Sequence, residues 1–152
     1  MARYSVASAA AKASANATDK VMWSLKAGSA KSLAVYEVGV FLESGTAAAI
    51  GFAIWRMNAV GTGAITSDTP VAEDPVLGAT AAVLEKTWAT ADPTLLGLAF
   101  RRGTTPATLG TGFIWTFPDP GLIIAAGGGM PITQTAVATT ANLRCYVAYD
   151  ER

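Results

Sequence analysis

Apolar side chains recur at every second position along much of this chain, the period of a strand with one buried face. From Leu33 to Glu43, the residues Ala34, Tyr36, Val38, Val40 and Leu42 share one face, and Leu33, Glu37, Gly39 and Glu43 alternate opposite them. Glu43-Ser44-Gly45-Thr46 breaks the run, after which Ile50, Phe52 and Ile54 alternate with Gly51, Ala53 and Trp55. Both faces of this second piece are largely apolar, so it must be covered on both sides, by another sheet or by a neighbouring subunit. The stretch from Ser32 to Met57 holds only Glu37, Glu43 and Arg56 as charges. The polar break nevertheless leaves it short of the about 20 continuous apolar residues that a membrane helix needs. It predicts a β-hairpin.

The same punctuation continues downstream. Gly61-Thr62-Gly63 closes the second strand, and Ser67 to Pro75 reads as a polar loop. Strand character returns over Thr80–Trp88 and Leu95–Arg102, with a turn at Ala91-Asp92-Pro93 between them. After a loop from Gly103 to Gly110, the alternation of Thr111, Phe113, Trp115 and Phe117 places three aromatics on one face. Pro118-Asp119-Pro120-Gly121 is a strong turn signal. Short strands are expected at Leu122–Ala125 and Ile132–Val137, around Gly127-Gly128-Gly129. The last strand points Leu143, Cys145, Val147 and Tyr149 inward, and Asn142, Arg144, Tyr146 and Asp150 outward. Many short strands between turn clusters predict an all-β protein, an antiparallel β-sandwich of jelly-roll type. Residues 1–20, rich in Ala and Ser, are expected to form an extended amino-terminal arm, with a short helix as the alternative. Residues 21–152 then make one sandwich domain whose first strand is Val21–Lys26.

Composition changes the picture in one respect. Charged residues are 14% of the 152, against roughly 25% in ordinary soluble domains. A folded monomer of this size exposes on the order of 7,000 Å², or about 300 Å² per charge. So much uncharged surface favours a component of an oligomer or larger assembly over a monomer covered by Thr, Ser and Gly. Eleven basic and eleven acidic side chains cancel, which gives no electrostatic footprint for nucleic acid or an anionic membrane.

Candidate chemistry is thin. The chain has no histidine and one cysteine, which excludes Ser-His-Asp and Cys-His sites, most zinc chemistry and an internal disulfide. Cys145 has the inward phase of a small core residue. The clusters Gly61-Thr62-Gly63 and Gly127-Gly128-Gly129 fit no phosphate-binding fingerprint and read as turns. Asp68, Glu73 and Asp74 lack the spacing of a calcium loop. Asn16-Ala17-Thr18 fits the glycosylation sequon, which matters only in a secreted chain. Ser8, Lys12, Ser14 and Asn16 interrupt any apolar leader, so no signal peptide is predicted. Arg101-Arg102 reads as a solvated strand end. The tryptophans Trp23, Trp55, Trp88 and Trp115 are the best contact candidates, Trp55 and Trp88 foremost, because aromatics bury much area for few ordered torsions. No enzyme activity, cofactor or metal is expected.

Several segments together resemble a family of small virion proteins of tailed bacteriophages. They are ARYSVAS, LAVYEVGVFLESG, WRMNAVGTG, TPVAEDP, AVLEKTWATADPTLLG, GLIIAAGGGMPIT and the closing YVAYDER. The chain departs from the family pattern at Met57-Asn58-Ala59, where relatives tend to carry threonines, and at Tyr149, where a tryptophan is usual. The resemblance implies a jelly-roll-like capsid decoration (cement) protein, a homotrimer on the major capsid protein at the surface of virions assembled in the host cytoplasm. The low-charge, Ala/Ser-rich arm of residues 1–20 is expected to reach onto a neighbour, and Tyr4, Val6, Trp55, Trp88 and Trp115 are the interface candidates. Another virion part (tail, neck or fibre base) and a carbohydrate-binding β-sandwich with exposed tryptophans are the alternatives.

Overall fold

A computed structural model describes residues 2–15, 17–135 and 140–152. Met1, Asn16 of the sequon and residues 136 and 137, the end of the expected Ile132–Val137 strand, lie outside the described residues. The strands are β1 (Ala2–Ala7), β2 (Lys12–Ala13), β3 (Lys20–Lys26), β4 (Leu33–Gly45), β5 (Gly51–Ala59), β6 (Ile65–Asp68) and β7 (Val71–Ala72). They continue as β8 (Val83–Trp88), β9 (Thr94–Thr104), β10 (Gly112–Thr116), β11 (Leu122–Ile124), β12 (Gly129–Gln134) and β13 (Ala141–Glu151). The described residues contain no helix, and so none long and apolar enough to cross a membrane.

Two antiparallel sheets form a sandwich. One runs β10-β4-β13-β1-β7, with β11 also on β4 and β2 also on β13; the other runs β6-β8-β3-β12-β5-β9. Besides the long β4–β13 ladder, pairings join β1 to β13, β3 to β12, β4 to β10 and β5 to β9. First strand thus pairs with last, and each later strand with a correspondingly earlier one. That nesting is a folded antiparallel ribbon, the wrapping of a jelly roll. Strands β6, β7 and β8 widen both sheets on one side, so the expected polar loop Ser67–Pro75 contains pieces of two short strands.

The expected hairpin is not formed. Strands β4 and β5 lie in opposite sheets, where β4 meets β10, β11 and β13 while β5 meets β12 and β9. Alternation fixes which side chains a strand buries and is silent about its partner. The polar corner after Leu42 carries the chain across the sandwich: Gly45 turns at φ 88°, and a Cβ there would lie 2.2 Å from the Thr140 carbonyl oxygen.

Within β4 the buried face changes phase. Tyr149 pairs with Val35 and Ala148 with Glu37, which leaves Tyr36 as the extra residue of a β-bulge. Leu33 and Val35, rather than Ala34 and Tyr36, therefore join Val38, Val40 and Leu42 in the core. The last strand keeps its expected phase, with Leu143, Cys145, Val147 and Tyr149 all buried in that same cluster. Burial also pushes the Cys145 thiol well above its ordinary pKa, which leaves it a small apolar filler.

The amino-terminal segment is not an arm either. Strand β1 lies between β13 and β7, and Tyr4 and Val6 are only 4% and 3% exposed. The Tyr4 ring stacks on Tyr149 at 5.8 Å, and on the other face Arg3 donates to Asp150 at 2.9 Å. Ala2-to-Ala7 alternates like any half-buried strand, and docking it covers the backbone edge that β13 would otherwise leave open. Next, β2 pairs with the start of β13. The described chain from residue 2 onward is thus woven into the sandwich.

The sheets face each other in a fixed order. Phe113 of β10 meets Phe52 of β5 edge-on at 6.1 Å, and Arg56 of β5 donates to the Ile123 carbonyl of β11 at 3.1 Å. Across the molecule, Lys12 of β2 donates to the Lys86 carbonyl of β8. One rim is therefore built by β9 and β10, and the opposite rim by β6 and β7.

Tyr4→Ala is expected to cost about 3 kcal/mol, read as a lowered denaturant midpoint. Removal of residues 1–7 should abolish cooperative unfolding. Unchanged stability in both would mean that the segment is a free arm.

Candidate interaction surface

All five residues expected at an interface are buried in the chain's own fold. Tyr4 and Val6 belong to the core, as does Trp115, which meets Phe113 edge-on at 4.5 Å. Trp55 donates from Nε1 to Thr133 Oγ1 at 2.9 Å, and the Arg102 guanidinium covers its ring at 5.3 Å. Trp88 donates to Glu85 Oε2 at 2.9 Å, and Gly61 packs so closely on its ring that a Cβ there would lie 2.1 Å from it. Their polar atoms are satisfied and their ring faces covered. Apolar residues on both faces of β5 and β8 meant that this fold covers both faces, not that a partner does.

The surface left over is differently placed. The large apolar side chains in solvent are Val60, Ile65, Val71, Val76, Leu96, Leu98, Leu109 and Ile114. Five of them lie on strands that end a sheet: Ile65 on β6, Val71 on β7, Leu96 and Leu98 on β9, and Ile114 on β10. Val76 and Leu98 are almost fully open, at 89% and 88% exposed. A signal for Leu98 was present in Leu95-Leu96-Gly97-Leu98, where apolar residues break the alternation. In the structure Arg56 pairs with Leu96 and Ile54 with Arg101, so Gly97 to Phe100 bulges out of the ladder. Gly97 takes φ 68° there, a left-handed conformation that suits glycine. The bulge interrupts the strand edge while lifting Leu98 into solvent.

Several titratable groups are held in ion pairs within the fold. Glu85 is buried beside Lys26 at 3.5 Å, and Asp68 beside Lys86 at 2.6 Å. Burial alone would raise the Glu151 carboxyl, but hydrogen bonds from Lys31 and Thr80 outweigh it and hold it below its usual range. Arg144 grips Glu43 through two nitrogens at 2.7 and 2.9 Å. Among the described residues, no group of three or more acids or thiols could hold a metal ion.

One depression of about 380 Å³ lies against Lys26, Gly28 and Gly127; another of about 240 Å³ is lined by Lys12, Lys20, Trp88 and Asp92. In the second, the Lys12 amine donates to the carbonyls of Met22 and Lys86 and sits 5.6 Å from the Trp88 ring. Burial lowers its pKa to about 8, against a smaller opposing pull from Asp92. Both amine hydrogen bonds tie β2 to the opposite sheet.

No family model, curated protein or solved structure matches the chain.

Lys12 sets a pH signature. Its folded pKa of about 8 lies below its ordinary 10.5, so between those values the unfolded chain holds a proton that the folded chain lacks, and stability rises with pH. Burial pushes Tyr146 and Tyr149 up to about 12, which reverses the slope above about pH 10. The denaturant midpoint should climb from pH 7.5 to 9.5, and Lys12→Met should flatten the climb. A flat wild-type profile would contradict a buried amine.

Proposed function

We propose that this chain is a structural virion protein that decorates a bacteriophage capsid, bridges neighbouring capsid subunits and acts as a homo-oligomer, a trimer by the family resemblance. The observation that carries the reading is where the apolar surface lies. The strands β6, β7, β9 and β10, which end the main path of each sheet, each present at least one large apolar side chain to solvent, while the tryptophans are withdrawn into the fold. Shallow contacts of this kind are individually weak and gain strength when several are made at once, as on a repeating shell. The low charge density supports the same reading. Holding subunits together is mechanical work and calls for a rigid body with adhesive rims. The buried, covered tryptophans take support away from a glycan-binding reading.

The test is cosedimentation of the purified protein with capsid shells lacking it. Binding is expected, with shells that become more resistant to heat. Leu98→Asp and Ile114→Asp should weaken binding by about tenfold or more at unchanged protein stability. Wild-type protein that stays in the supernatant would overturn the proposal.

A further inference from the structure

The chain is neutral overall, but three arginines without a carboxylate partner and two acids without a cation partner among the described residues stand at opposite rims. At the β5–β9 rim, Arg56, Arg101 and Arg102 are exposed, and none meets a carboxylate among the described residues. Each guanidinium lies instead over an aromatic ring: Arg56 over Phe100 at 4.9 Å, Arg101 over Phe117 at 5.5 Å, and Arg102 over Trp55 at 5.3 Å. Stacking orders a guanidinium while leaving its charge and most of its donors unused. Only one bond from Arg56, to the Ile123 carbonyl, and one from Arg101, to the Phe100 carbonyl, draw on them. Exposed Leu96 and Leu98 stand on the same strand as Arg101 and Arg102.

The opposite rim carries the complement. Directly after β7, the exposed Glu73 and Asp74 form no ion pair. Asp74 accepts the Val76 amide at 2.9 Å, which fixes the turn. Glu73 is anchored by its amide to the Arg3 carbonyl at 3.0 Å. Its charge acts on the Arg3 guanidinium, but Arg3 is already engaged by Asp150. Exposed Val71 and Val76 flank the two acids. Six strands at about 4.8 Å spacing separate the rims by roughly 24 Å.

We propose that copies of this chain associate head to tail, with the arginine rim at β9 of one copy on the Glu73–Asp74 rim of the next. The partner is a second copy because each rim supplies what the other lacks: cations with apolar neighbours against anions with apolar neighbours. A two-fold axis through either rim would set like charges against each other. A heterologous contact that seats one rim on the other pairs opposite signs, and such contacts close into rings when the rotation allows. The inference rests on the self-assembly part of the proposed function and names the surfaces that carry it. Stacked, preordered arginines lose little freedom on docking, which favours their use at an interface.

Charge reversal tests it. Native mass and sedimentation would be measured for wild type, for Arg101→Glu with Arg102→Glu, for Glu73→Lys with Asp74→Lys, and for all four changes in one chain. Circular dichroism would check that each variant folds. An oligomeric wild type is expected, with each two-site variant weakened on the order of a hundredfold and the four-site variant restored. Oligomers indifferent to the two-site changes would overturn the proposal, as would a four-site variant that stays dissociated. A monomeric wild type would overturn it too, while cosedimentation of that same monomer with shells reads the decoration role separately.

Discussion

Strand β13 is the constraint on which the sandwich depends. Over Ala141–Glu151 it is paired on one side by β4 and on the other by β1 and β2. Its alternate residues Leu143, Cys145, Val147 and Tyr149 fill the space between the sheets. The first sheet therefore cannot close until the last segment of the chain has met the first. Contacts of such long sequence separation are costly in loop entropy before they are rewarded. The bulges in the β4–β13 ladder let two long strands stay in register while the buried face of β4 changes phase.

The distribution of charge follows from the same packing. Asp68, Glu85, Asp150 and Glu151 are all drawn below the surface, and each takes a Lys or Arg whose side chain is more exposed than its own. A buried carboxylate without that partner would be severely destabilising, whereas the solvated cation keeps much of its hydration. Acids are thus neutralised internally at four places. Three arginines on the far rim are stacked rather than paired. A chain with no net charge thereby has, among its described residues, three unpaired arginines on one rim and two unpaired acids on the other, each group with leucines or valines beside it. Most of the large apolar side chains left in solvent lie on strands that end a sheet.

Much of this fold could be read from periodicity. The all-β class, the inward set of β13, the aromatic face of β10 and the extents of β3 and β9 all follow from alternation and turn residues. Pairing could not, because β4 and β5 read as neighbours locally and are separated by a core that forms only globally. Nor could the place of β1. Tyr4 and Val6 carry the alternation of a strand, but nothing local says that β13 offers them an edge. The burial of the expected interface residues was hidden for a related reason. Aromatic content pointed to Trp55, Trp88 and Trp115, and three-dimensional packing covered all of them with Arg102, Gly61 and Phe113 among others. Leu98 and Val76 were passed over, one within a strand and the other just past a polar loop, because exposure at a bulge or turn is a property of backbone geometry.

The central claim is that the sandwich is complete within one chain and meets its partners through its rims. Hydrogen exchange of the protein bound to capsid shells, compared with the free protein, tests it most directly. The account predicts new protection in β6, β7, β9 and β10 and none in β3 or β13, which are already covered. Slowed exchange centred on β3 and β13, with the edge strands unaffected, would contradict it.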